Sequence, residues 1–151
     1  MISILMVCHG NICRSTMAQC IMQHLVNEKG LGNMFHIDSA ATSREEIGNG
    51  IHHGTVRTLK EHNIPVLEHY AKQITKNDYQ KFDYILGMDS WNMMNLERIL
   101  GNDPAHKVKR LLDYSTKPRD IADPWYTGNF EVTYQDVLEG CNALLQHILE
   151  Q

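Results

Sequence analysis

The chain has 151 residues, of which 42% are hydrophobic and 21% charged, and a formal net charge of −4. That length suits one domain, 1–151, with enough apolar content for a core. The acidic balance argues against nucleic acid as a partner, and no run reaches the roughly 18 apolar residues of a membrane span.

In chain order, Ile2 to Val7 is a short apolar run that fits a buried parallel strand. Met1 to Val7 lacks the basic flank and the length of a signal peptide. His9, Gly10 and Asn11 read as a loop. From Arg14 the pattern turns helical, with Met17, Cys20 or Ile21, His24 and Leu25 at three- and four-residue steps and a stop at Gly30. Phe35 to Ala40 reads as a second strand, followed by a loop punctuated by Gly48, Gly50 and Gly54. Thr55 to His62 is helical, and Pro65 ends that region. Thr75-Lys-Asn-Asp78 resembles a capping box, with Asp in place of Glu, and predicts a short helix. Tyr84 to Met88 is a third apolar strand. Asp89 or Ser90 caps a helix to about Leu100, with Gly101 at its end. Val108 to Leu112 reads as a fourth strand, and Asp113 to Asn129 as a polar segment. Phe130 to Leu149 is a last helix whose apolar face holds Val137, Leu138, Cys141, Leu144, Leu145 and Ile148.

Strands separated by helices predict an α/β fold with an open parallel sheet. Ligands of such sheets lie beyond the carboxyl ends of the strands. Cys8, Asp89 and Asp123 all fall on that edge.

Residues Cys8 to Ser15 form a strand-to-helix loop in which a Cys is followed by five residues, an Arg and a Ser. A loop of this length can turn successive amides inward as an anion nest, reinforced by the positive end of the next helix. Gly10 permits backbone conformations closed to other residues, and Asn11 tolerates a left-handed one. Arg14 forks onto two oxygens of a phosphate. The same field favours the thiolate of Cys8, which is the nucleophilic form, and Ser15 is placed to donate to the sulfur. The plainer alternative, a buried Cys and a surface Arg, does not account for the strand before and the helix after. A leaving phenolate or alkoxide also needs a proton. Asp123-Pro124-Trp125-Tyr126 supplies a carboxyl stiffened by the proline and two aromatics for a substrate ring.

These segments closely resemble the low-molecular-weight protein tyrosine phosphatase family. The resemblance rests on Val7-Cys8-x-Gly10-Asn11-Ile12-Cys13-Arg14-Ser15 and on Asp123-Pro124-Trp125-Tyr126. Ile37-Asp38-Ser39, His69-x-Ala71-x-Gln73, Tyr84-Ile85-Leu86 and Met88-Asp89 extend it along essentially the whole chain. It implies a four-stranded parallel sheet with helices on both faces, and a phosphatase needing no metal or other cofactor. Cys8 would attack phosphorus while Asp123 protonates the leaving oxygen and later activates water. Arg14 and the loop amides from His9 through Gly10, Asn11, Ile12 and Cys13 to Ser15 would hold the phosphoryl oxygens. Asp38 and His69 would join Asn11 and Ser15 in supporting the loop. Cys13 matches a cysteine that can form a reversible disulfide with Cys8.

Some positions depart from the family pattern. Thr16 replaces a common Pro. His9 stands at a variable position. Glu45 falls on the cleft wall where relatives often place an aromatic, and there it disfavours acidic phosphopeptides. Ile12 argues for phosphotyrosine or another aryl phosphate, because related arginine phosphatases carry Thr at that place.

The nine histidines do not pattern as metal ligands; His52 and His53 are adjacent and read as surface residues. Cys20 and Cys141 read as buried and inert. With four cysteines and no export signal, the expected setting is the cytoplasm, as a monomer or weak dimer. Two other readings of the fold are a thiol-dependent arsenate reductase, which needs further cysteines near the site, and a non-catalytic phosphotyrosine-binding module.

Overall fold

The computed structural model describes residues 1–151. Four strands, β1 (Ile2–Cys8), β2 (Phe35–Ala41), β3 (Tyr84–Gly87) and β4 (Val108–Arg110), form one parallel sheet in the order β2-β1-β3-β4. A parallel pair needs a crossover. Here α1 (Arg14–Glu28) joins β1 to β2, α2 (His53–Glu61) and α3 (Asp78–Lys81) join β2 to β3, and α4 (Ser90–Leu100) joins β3 to β4. Two further helices, α5 (Pro124–Thr127) and α6 (Phe130–Leu149), follow.

Alternation along β1 divides the core. Ile4, Met6 and Cys8 pack with α1 and α6 residues such as Ile21, Val137 and Leu144. Leu5 and Val7 pack on the other side with Tyr79 of α3 and with Leu96 and Leu100 of α4. Helices therefore cover both faces, which is why β1 reads as an unbroken apolar run from Ile4 to Cys8. The strand order reverses between β1 and β3, so the crevice at their carboxyl ends is the ligand position of such a sheet. Cys8 closes β1 and Asp89 follows β3 on either side of it. No helix is long and apolar enough to cross a membrane.

The structure differs from the sequence reading in three places and selects between its two alternatives in a fourth. β4 stops at Arg110, and Leu111–Tyr114 forms a 3₁₀ turn. Asp113 accepts from the Arg110 amide at 2.8 Å, and Leu111 packs so closely on Gly140 of α6 that a Cβ there would lie 2.6 Å from its Cγ. The apolar pair thus serves helix packing rather than the sheet. The polar segment contains α5, begun by Asp123 as N-cap and Pro124 in the first turn. Ahead of α3, Asp78 accepts from the Thr75 amide at 2.8 Å while the Thr75 hydroxyl also donates to Asp78, so only half of the capping box forms. Between the two candidate caps of α4, Asp89 is the one used: it accepts from Asn92 N at 2.7 Å, and Asn92 Oδ1 accepts back from the Asp89 amide.

Candidate active site

The loop between β1 and α1 is shaped by Asn11, whose φ is 59°. Gly10 is not at positive φ, so the conformational freedom expected of it is not used; the left-handed position belongs to its neighbour. An asparagine tolerates that conformation when its side chain is satisfied locally. Asn11 is fully buried. Its Nδ2 donates to Ser15 Oγ at 2.8 Å and Ser39 Oγ at 3.0 Å, and its Oδ1 accepts from His69 Nε2 at 2.8 Å and the Lys72 amide at 3.3 Å. Ser39 in turn donates to Gln19. Burial lowers the His69 pKa against the opposing pull of Asp38, and the ring's Nε2 faces the Asn11 oxygen. Asp38 accepts from the Ser39 amide at 2.8 Å, lies 3.8 Å from His69 Nδ1 and pairs with Lys72.

The loop's carbonyls are taken up from outside the cleft. Cys8 O accepts from the Thr42 amide and His9 O from the amide and hydroxyl of Ser43. Ile12 O accepts from the His52 amide and Thr16 Oγ, and Cys13 O from Thr55 Oγ and Thr16 Oγ. Because the peptide unit is planar and trans, this turns the N–H groups of His9, Gly10, Cys13 and Arg14 to the cleft side. Thr16 therefore helps to fix the loop, a larger role than its place as a substitute for Pro suggests.

Cys8 Sγ lies on the cleft floor, 3.0 Å from Ser15 Oγ and 3.4 Å from the Ser15 amide. Ser15 Oγ accepts from Asn11, which leaves its own hydrogen free to point at the sulfur. Cys13, the other loop cysteine, is buried and free. Burial first, then the negative charges of Cys8 and Asp123, push its thiol up to about 12.

Arg14, only 2% exposed, gathers the crevice together. Its Nη1 donates to Asp89 Oδ2 at 2.7 Å and to Ile121 O at 2.8 Å, and its Nη2 to Asp123 Oδ2 at 3.4 Å. Burial disfavours its charge, but Cys8, Asp123 and Asp89 outweigh that and raise its pKa. Asp123 Oδ1 caps α5 through the Trp125 amide at 3.0 Å. The far end of the chain thus delivers a carboxylate to the loop.

At the mouth, Glu45, Glu46, Trp125 and Tyr126 join Cys8, His9, Gly10, Ile12, Cys13, Arg14 and Asp123 as the cleft lining. His9 Nε2 and Glu45 Oε2 lie 3.0 Å apart, so these two positions form one unit. Trp125 is 58% and Tyr126 83% exposed, and Trp125 rests edge-on against His52.

All the residues singled out from the sequence as catalytic, phosphate-binding, wall or support positions come together here. Ser39, Gln19 and Lys72 complete the support and were not singled out. Ser39 on β2 accepts from Asn11 and is itself held by Gln19 of α1, while Lys72, after α2, reaches Asn11 by its amide and Asp38 by its side chain, at separations that no local pattern signals. No group of three or more His, Cys, Asp or Glu side chains is arranged to hold a metal.

Comparison with known proteins agrees with this geometry. The family described as "Low molecular weight phosphotyrosine protein phosphatase" matches residues 3–151. The low molecular weight protein-tyrosine-phosphatase YfkJ of Bacillus subtilis is 41% identical over 100% of this chain and 98% of its own. Its crystal structure matches with a TM-score of 0.94 over 99% of this chain and 96% of that one. The human low molecular weight phosphotyrosine protein phosphatase is 40% identical over 95% of this chain and 94% of its own. A structure described as drosophila arginine phosphatase also matches, 32% identical with a TM-score of 0.87 over 96% of each chain. The fold by itself therefore does not choose the phosphorylated side chain, but the chain belongs to the low molecular weight protein-tyrosine-phosphatase family and is a phosphatase of that kind.

Proposed function

We propose that the protein hydrolyses phosphotyrosine, in proteins or as small aryl phosphates, through a phosphocysteine on Cys8. The observation that carries this reading is Arg14. It stands at the end of the loop that holds Cys8 and touches Asp123, which arrives from the other end of the chain.

An entering phosphate takes the inward amides and the free edge of Arg14, displacing Asp123 from Nη2 while Nη1 stays on Asp89 and Ile121. The phosphate's charge then stands beside the Asp123 carboxyl, which favours its carrying the proton the phenolate needs. Cys8 Sγ forms a bond to phosphorus as the bond to the aryl oxygen breaks, and Asp123 protonates that oxygen. Water then attacks the phosphocysteine and gives a proton to Asp123; the S–P bond breaks, and phosphate and thiolate are released. Arg14 and the amides hold the equatorial oxygens in both steps. Ile12 and the exposed rings of Trp125 and Tyr126 favour a flat aryl group. Cys13 would close a reversible disulfide with Cys8 after a peroxide has oxidised the Cys8 thiolate to a sulfenic acid: the Cys13 sulfur attacks the Cys8 sulfur and water leaves. The arsenate-reductase alternative is disfavoured, because the remaining cysteines, Cys20 and Cys141, are buried in the main core and burial raises both their pKa values. Four free thiols fit a reducing setting such as the cytoplasm.

The reading is tested by comparing matched phosphotyrosine, phosphoserine and phosphoarginine peptides, with vanadate as inhibitor. Phosphotyrosine should be turned over fastest by orders of magnitude. A preference for phosphoarginine would move the assignment away from the aryl phosphate that Ile12 favours.

A further inference from the structure

Asp89 and Ser90, consecutive residues at the start of α4, grip two different parts of the crevice. Asp89 holds Arg14 at 2.7 Å. The Ser90 amide and hydroxyl both donate to Asp120 Oδ1 at 3.0 Å. Asp120 stands three residues before Asp123, and Arg110 at the end of β4 donates to the same oxygen at 3.0 Å. Between Asp120 and Asp123, the Ile121 amide donates to Met88 O at 2.9 Å, and Ile121 O accepts from Arg14. The segment Met88-Asp89-Ser90 thus grips Asp120-Ile121 by backbone and side chain, with Arg14 bridging the two.

We infer that Asp120, clasped by Ser90 and Arg110, is a positioning residue that sets the distance between Asp123 and the phosphate held by Arg14. The inference rests on Asp123 being the general acid. The Asp120 carboxylate also lies at the positive end of an 11-residue helix. Partial burial raises its pKa, but the hydrogen bonds from Arg110 and Ser90 outweigh that and hold it below the usual carboxylate range, so the clasp is charged at neutral pH. A neighbouring contact adds to the restraint: Arg119 reaches Asp136 and Glu139 on α6 at 2.8 and 3.0 Å. The carboxyl therefore rides on a segment tied at two adjacent residues to opposite parts of the fold, and the α4 start gives Arg14 and Asp123 one common reference.

The test separates positioning from general stability by using the leaving group. Turnover of phosphotyrosine, a poor leaving group, is compared with that of p-nitrophenyl phosphate, a good one, in Asp120→Ala, Asp120→Asn and Asp123→Ala, with thermal melts to verify folding. A misplaced acid penalises the poor leaving group selectively, and small displacements are costly. Asp120→Ala should lower kcat/KM, which reports departure of the aryl oxygen rather than hydrolysis of the shared phosphocysteine, about tenfold more for phosphotyrosine than for p-nitrophenyl phosphate. Asp120→Asn keeps an oxygen for Ser90 and should restore part of that ratio. Equal loss on both substrates, or no loss, in a folded Asp120→Ala overturns the inference if Asp123→Ala still discriminates between them. If Asp123→Ala does not discriminate, the acid assignment itself falls, and the inference with it.

Discussion

The two walls of the crevice are built in opposite ways. The loop wall, Cys8 to Ser15, is contiguous in sequence, with Cys8, Asn11, Cys13, Arg14 and Ser15 buried, and Asn11 at its centre has every polar atom of its side chain paired. The opposite wall, Asp123 to Tyr126, is a single turn of helix whose two aromatics face solvent. Phosphate is the same in every substrate and needs a rigid, preorganised receptor. The group attached to it varies and needs a surface that can be changed cheaply. Substitutions on the loop side should therefore cost stability and chemistry together, whereas those at the mouth should move substrate preference alone.

The largest effect is expected at Asn11. Asn11→Ala leaves Ser39 and His69 short of partners in a buried site, at about 1–3 kcal/mol for each group left unpaired. It also puts a Cβ residue at positive φ without the local bonds that offset the strain, adding about 1 kcal/mol. A loss of about 3 kcal/mol or more follows, measurable as a lower denaturant midpoint with unchanged slope. Asn11→Gly keeps the backbone conformation and should lose about 1 kcal/mol less.

The same network makes a pH prediction of intermediate size. His69 has its pKa lowered on folding, chiefly by burial. Below its unfolded value near 6.5 the unfolded state binds the extra proton, so its contribution is complete above that pH and is lost as pH falls toward the folded value. Melting temperature should fall on acidification from pH 7 to 5, and His69→Gln should flatten that dependence. An unchanged slope in the variant would mean that other groups govern it.

The smallest effect is expected at the mouth. Glu45 is exposed, as is its contact with His9, and an exposed charge contact is worth at most about 1 kcal/mol, or roughly fivefold. Glu45→Lys should raise kcat/KM for acidic relative to basic phosphotyrosine peptides by up to about fivefold, and salt should shrink the difference. A change in stability comparable to that of Asn11→Ala would erase the contrast between the walls.

The sequence is informative where one short segment does the whole job. Cys8 to Ser15 is legible because strand, nest, arginine and helix start are adjacent, and Asp123 because Pro124 marks it. That same Asp-Pro pair is also a helix start, and reading it only as an acid hid α5. Leu111 and Leu112 read as strand because periodicity cannot tell a strand end from a turn packed on a helix; what decides is Gly140, far along the chain on α6. Ser39, Gln19 and Lys72 are invisible for a related reason: each is an ordinary residue in its own element and gains its role only from where Asn11 points. The pairing of His9 with Glu45 likewise appears only once the chain has folded.

Whether phosphate passes through Cys8 is measured directly by stopping phosphotyrosine turnover with acid during the steady state and mapping the protein for a phosphorylated residue. Phosphate is expected on Cys8 in the native enzyme, with neither phosphoenzyme nor turnover in a folded Cys8→Ser. Turnover retained in Cys8→Ser, or phosphate recovered on another residue, would contradict passage through Cys8.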